Sequence, residues 1–180
     1  MDHTPLSRVD NATGPVRPAP DTPEIATEMR LKVEEARKRN KRVVWIEKMV
    51  TKREAIQLDS NARVFCCPSV YEPFGIINLE AMACHAPVVA SATGGIKEVV
   101  VDNETGYLVP FEQDPSTGFA TQPEKFARDL AAKISELLAD PSKCRKFGEA
   151  GRKRVEETFS WRSIAGQTVE LYRFLIEKGK

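Results

Sequence analysis

The sequence predicts an α/β fold, a parallel sheet of about four strands flanked by helices, and three observations carry that reading. Short β-branched runs recur along the chain: "RVVWI" (42–46), "RVFCCPS" (63–69), "PVVAS" (87–91) and "GYLVP" (106–110). Stretches with apolar residues at helical spacing lie between them. Each separation leaves room for the crossover of about a dozen residues that parallel neighbours require and that a helix usually supplies.

The elements follow in order. Residues 1–20 hold four prolines and no apolar repeat, which predicts a disordered arm ahead of a folded region over 21–180. Thr22 can cap and Pro23 suits a first helical position, with Ile25, Met29, Val33 and Ala36 recurring at helical spacing to about Asn40. After the first strand, "TKRE" (51–54) has capping-box spacing and opens a helix to about Ser60. The strand at 63–69 leads into a helix over the seventies, the strand at 87–91 into a Gly-Gly turn and a short helix near Lys97–Val101. Beyond the fourth strand the pattern is helical: 124–139, then about 142–158 with a possible break at Gly148 or Gly151, then about 161–177.

Composition narrows the function classes. Hydrophobic residues at 41% and aromatics at 7% suit a globular core, and 27 basic against 26 acidic residues give a net charge of +1, so no overall field recruits nucleic acid or an anionic membrane. The basic residues of 143–154 are interleaved with Glu149, Glu156 and Glu157 and no aromatic platform, which reads as a solvated helix face. No apolar run approaches a membrane span and no leader pattern follows Met1, so the expected location is cytoplasmic. Four cysteines without C-x-x-C spacing and only two histidines argue against a metal site and for free buried thiols.

The stretch "YEPFGIINLEAMAC" (71–84) holds the chemistry. If Pro73 opens a helix, the amides of Phe74 and Gly75 point out of its N-terminus, and the bare Gly75 lets an anion approach the backbone. The corner lies at the carboxyl end of a strand, where ligands bind in doubly wound sheets. Glu80 stands among apolar residues, so its carboxylate needs a recipient inside the protein or on a ligand. Glu72 and Glu80, eight residues apart, lie about 12 Å apart along a helix, the reach of a nucleoside diphosphate sugar. The residues alone leave two readings open: a ligand between the glutamates, or Glu72 favouring its helix dipole by ~0.5 kcal/mol with Glu80 paired to an arginine.

The run "PSVYEPFGIINLEAMACHAPVVASATGGIKEVVVDNETGYLVP" (68–110) resembles the donor-binding half of the glycogen synthase type of retaining GT-B glycosyltransferases, the glycosyl transferases of group 1. The likeness extends from "APDTPEIATEM" at Ala19 to "FSWRSIAGQTVELYRFL" near the end. It implies a partial GT-B C-terminal domain, Rossmann-like, whose strands match the third to sixth of the order 3-2-1-4-5-6. It further implies transfer of glucose from ADP-glucose or UDP-glucose, with retention, to an α-glucan or small glucosyl acceptor, as in bacterial glycogen or maltose 1-phosphate synthesis. Glu72 would be the catalytic-site carboxylate meeting the donor sugar, and Glu80 would bind the ribose. Phe74, Gly75 and Ile76 would offer backbone amides, with Thr93, Gly94 and Gly95 forming the facing turn. No metal or cofactor is implied beyond the nucleotide sugar.

The resemblance also has gaps. Neither the acceptor domain nor the strand and loop that bring an Arg and a Lys to the pyrophosphate has a counterpart in this sequence. The isolated chain is therefore expected not to catalyse transfer alone, and an uncovered sheet edge is expected to favour self-association. Two other roles stay open at this point: a non-catalytic nucleotide-sugar-binding module or half of a split enzyme, and a helical interaction domain without a ligand.

Overall fold

The computed structural model describes residues 23–39 and 42–179, so the arm expected over 1–20 and the cap expected at Thr22 lie outside the described residues. The described residues fall into two compact units divided after Arg53.

The first unit is built on α1 (Pro23–Lys38). Proline stands at its first position, Glu24 in the first turn, and Arg37 and Lys38 in the last, each where the helix dipole favours it. The strand expected over 42–46 does not form: those residues carry no strand, and Val44 is 86% exposed. A β-branched run has strand propensity, but a strand needs a hydrogen-bonding neighbour, and side chains of α1 occupy this segment instead. Arg37 Nε donates to the Val43 carbonyl at 3.2 Å, and Arg30 pairs with Glu47 at 3.1 Å while lying over the Trp45 ring. α2 (Lys52–Asn61), which lies in the second unit from Glu54 onward, opens one residue after Thr51, where the capping-box spacing placed it.

The second unit holds a three-stranded parallel sheet, one strand fewer than the sequence predicts. β1 (Phe65–Cys67) pairs with β2 (Val88–Ser91), and β2 with β3 (Gly106–Val109), in the order β1-β2-β3. The connections are α3 (Ile76–Ala83) and α4 (Ile96–Val99), the crossovers that parallel pairing requires. After β3 come α5 (Pro123–Ala139), α6 (Pro141–Arg154), a π turn over Val155–Phe159 and α7 (Trp161–Lys178).

The period of two along β2 divides the core. Val88 and Ala90 face a cluster with Ala81, Met82, Ile96 and Val99 from α3 and α4. Val89 faces the other side, toward Tyr107, Phe126, Leu130, Leu137 and Phe147 of β3, α5 and α6. All four β2 residues are buried, the pattern of a central parallel strand covered on both faces.

α6 runs through Gly148 and Gly151 without a break, because these glycines serve close packing. A Cβ at Gly148 would fall 2.2 Å from the His85 carbonyl oxygen, and one at Gly151 would meet Met82. Arg145, Lys146 and Lys153 are exposed, as a solvated face requires, but Arg152 and Arg154 at the end of α6 are ties. Arg154 donates from Nε to the Val99 carbonyl at 2.9 Å and from Nη2 to the Glu98 carbonyl at 2.7 Å, with its guanidinium over the Phe159 ring. Arg152 donates to the Ala83 carbonyl. Behind the sheet, Lys143 Nζ reaches both Glu136 Oε1 and the Tyr107 hydroxyl at 2.6 Å. Bonds from Lys143, Tyr107 and Lys133 hold the Glu136 carboxyl down at about 2. The cysteines are free, with Cys67 and Cys144 buried as expected but Cys66 exposed on β1.

Candidate functional site

Strands running parallel deliver their carboxyl ends to one edge of the sheet, and there the loops after β1 and β2 meet. The chain leaving β1 is held by side chains from the β2 end. Ser91 Oγ donates to the Ser69 carbonyl, Thr93 Oγ1 to the Val70 carbonyl at 3.4 Å, and the Gly95 amide to the Glu72 carbonyl at 3.0 Å.

Glycine makes this approach possible. A Cβ at Gly94 would fall 2.0 Å from the Glu72 carbonyl oxygen, and one at Gly95 would fall 2.4 Å from Phe74 Cα and 2.5 Å from the Pro73 oxygen. Gly94 also has φ +45°, and Gly75, which caps α3, has φ +99°, a conformation that L side chains rarely adopt. The Thr93-Gly94-Gly95 turn and the Glu72-Phe74-Gly75 loop thus interlock, backbone on backbone.

α3 begins at Ile76, three residues after the start predicted at Pro73. The difference has a local cause: Gly75 takes a left-handed conformation that no helix interior tolerates, so the helix starts after it. The Gly75 amide, expected to await an anion, donates to Glu72 Oε1 at 3.0 Å. The carboxylate thereby lies at the N-terminus of α3, and the helix opens with the amides of Ile76 and Ile77, which have no intrahelical acceptor.

Glu80 is not buried, contrary to its apolar setting in the sequence. α3 has its inner face at Asn78, Ala81 and Met82 and its outer face at Ile76, Ile77 and Glu80. Ile76 is 61% and Ile77 47% exposed, so the helix presents an open apolar flank with one carboxylate on it. No ion pair to Glu80 occurs among the described residues, so no arginine among them takes the carboxylate. Its electrostatic neighbour is acidic: burial first, then the Glu80 charge, pushes the Asp59 carboxyl up. A hydroxylic ligand that donates to Glu80 would relieve that repulsion.

The structure therefore brings Glu72, Phe74, Gly75, Ile76, Thr93, Gly94 and Gly95 together, and leaves Glu80 exposed further along α3. Thr93 is buried and its hydroxyl faces the Val70 carbonyl. Phe74 sets its ring edge-on to Phe159, with centroids 6.1 Å apart. Sequence reasoning missed Asn78, which is fully buried with Nδ2 3.7 Å from Cys67 Sγ and Oδ1 unpartnered. Its signal was available: one amide in an apolar helix is as anomalous as one glutamate.

The family described as glycosyl transferases group 1 matches residues 26–154. The chain belongs to that family. It is 46% identical over 155 residues to the alpha-maltose-1-phosphate synthase of Mycobacterium tuberculosis (strain CDC 1551 / Oshkosh), covering 86% of this chain and 38% of that protein. It is 33% identical over 119 residues to the glycogen synthase of the same strain, covering 66% of this chain and 26% of that protein. Among solved structures, sucrose-phosphate synthase from Thermosynechococcus elongatus superposes with a TM-score of 0.65 at 38% identity, over 85% of this chain and 35% of that one. The fold is that of the GT-B glycosyltransferases of group 1, and the chain spans less than two fifths of the length of these relatives. No helix among the described residues is long and apolar enough to cross a membrane, and no group of three or more His, Cys, Asp or Glu among them is placed to hold a metal ion.

Proposed function

We propose that this chain carries the donor site of a retaining glucosyl transfer, binding ADP-glucose or UDP-glucose along α3 for delivery to an α-glucan or small glucosyl acceptor. One observation carries the proposal. Two glycine-bearing loops at adjacent strand ends lock together beside a helix N-terminus, with Glu72 at that terminus and Glu80 exposed on the same helix. The relatives named above act on sugars, which supports the same reading.

In this reading the sugar hydroxyls meet the Glu72 carboxylate, the ribose diol meets Glu80, and the diphosphate lies over the amides that open α3. Those amides and the helix dipole are oriented before the reaction, so charge developing on the departing diphosphate meets donors that need no reorganisation. The exposed flank of Ile76 and Ile77 offers apolar contact between the two polar ends. The acceptor, and the cations that neutralise the leaving group, are not assigned to residues of this chain.

Calorimetric titration of the whole chain with ADP-glucose, UDP-glucose, ADP and UDP tests the proposal. A 1:1 complex is expected, and Glu80→Gln should weaken it on the order of tenfold by exchanging charge-assisted bonds for neutral ones. No binding of any of the four ligands at millimolar concentration, or an unchanged affinity in Glu80→Gln, would remove it.

A further inference from the structure

The segment between β3 and α5 is a built hairpin. Gln113 and Ala120 form an antiparallel bridge, Thr121 donates to the Glu112 carbonyl at 2.9 Å, and Asp114 to the Phe119 carbonyl at 2.8 Å. At the tip, Asp114 Oδ1 accepts the amides of Ser116 at 2.7 Å and Thr117 at 3.1 Å, and Gly118 completes the turn at φ +73°. Bonds from the Ser116 hydroxyl and then the two amides hold the Asp114 carboxyl below its usual range, so the turn keeps its acceptor charged.

This hairpin reaches back to the donor loop through one side chain. Gln113 Nε2 donates to the Val70 carbonyl, 43 residues away in sequence, and to the Gly118 carbonyl at 3.0 Å. Both partners are carbonyl oxygens, which only the NH2 end of the amide can satisfy. Val70 stands two residues before Glu72. Its other tie, from Thr93 Oγ1, is long at 3.4 Å and correspondingly weak. Ser91 and Gly95 tie the loop from β2 and the turn after it, while Gln113, among the described residues, braces it from the β3 side.

We propose that Gln113 is a positioning residue for the donor site, bracing the Val70 carbonyl so that the loop carrying Glu72 holds its place over the N-terminus of α3. The inference rests on the donor reading above and deepens it. Gln113 acts through Glu72, which faces the sugar, and not through Glu80, which faces the nucleoside. Its loss should therefore fall on the glucose-dependent part of the affinity.

Gln113→Ala removes the brace, and Gln113→Glu keeps the shape while setting carboxylate oxygens against two carbonyls. Titration of the full chain with ADP-glucose and ADP, or UDP-glucose and UDP, whichever pair the wild type binds more tightly, reads the effect. Both variants should lose on the order of fivefold for the sugar nucleotide, the worth of one net hydrogen bond, and clearly less for the bare diphosphate. Amide exchange in the ligand-free chain should quicken at Gly75 and Gly95, whose amides bond Glu72, and stay unchanged along 88–91. Wild-type affinity and exchange in Gln113→Glu would overturn the inference, as would equal losses for both ligands with Gly75 and Gly95 undisturbed. A wild-type chain that binds neither ligand removes the donor reading and this inference together; one that binds both while the variants match it removes this inference alone.

Discussion

Gly95→Ala should destabilise the chain by about 3 kcal/mol, the upper range for overpacking a closely fitted site, and lower its thermal midpoint by roughly 10 °C. The new methyl would stand 2.4 Å from Phe74 Cα and 2.5 Å from the Pro73 oxygen, and backbone cannot swing aside as the end of a flexible side chain can. The strain is placed between the two loops of the proposed donor site, so on that reading affinity for the sugar nucleotide should fall with stability. Gly166→Ala is the matched control. Nothing lies within 4 Å of a Cβ there, and the residue is exposed in the middle of α7. Alanine should therefore gain about 0.5–1 kcal/mol from helix propensity alone. Thermal melts of the two variants side by side separate the effect of close approach from the general effect of replacing glycine. Equal midpoints would show that the loops do not interlock.

Phe147→Ala should cost about 4 kcal/mol, yet leave affinity at the proposed donor site unchanged at temperatures below the variant's own transition. Phe147 is 1% exposed and sets its ring edge-on to Tyr107 of β3, with centroids 5.3 Å apart, in the cluster with Leu137 and Cys144. That cluster lies on the face of the sheet away from α3 and α4. Truncation leaves a cavity beneath α6 without touching the loops after β1 and β2. Denaturant unfolding with ligand titration at 10 °C checks both halves, and a parallel loss of affinity would show that the two faces are coupled.

The sequence revealed the alternation of strands and helices because both periods were strong. β2 and β3 lie within a residue of their expected limits, and α5 begins one residue before its expected start. It misled where a local signal depends on a distant partner. Residues 42–46 have the composition of a strand, but composition provides no neighbour, and Arg37 takes the Val43 carbonyl that a neighbour would have used. The start of α3 differs from its expected place for a local reason: Pro73 suits a first helical turn, yet Gly75 at φ +99° delays the helix until Ile76.

The candidate site was legible by residue identity and less so by orientation. Glu72, Gly75 and the Gly94-Gly95 turn converge, but the amide of Gly75 faces Glu72 itself in the ligand-free chain. The apolar residues along 74–83 leave almost no polar face to mark the helix's outer side. The true inner face is set by Asn78, Ala81 and Met82, which leaves Ile76, Ile77 and Glu80 outside. The brace from Gln113 was invisible because an exposed glutamine in a polar segment carries no periodic signal, and its partner is a backbone carbonyl 43 residues away.

A cavity of about 280 Å³ lies elsewhere in the second unit, at the base of the hairpin, lined by Phe111, Thr121, Gln122, Lys125, Phe126 and Asp129. It offers the competing address for a ligand. Amide shift mapping of the whole labelled chain during titration with ADP-glucose or UDP-glucose decides between the two places. Saturating shifts should be largest at Gly75, Ile76, Gly94 and Gly95; shifts centred on Phe111, Lys125 and Phe126, with those four amides unmoved, would contradict a donor site on α3.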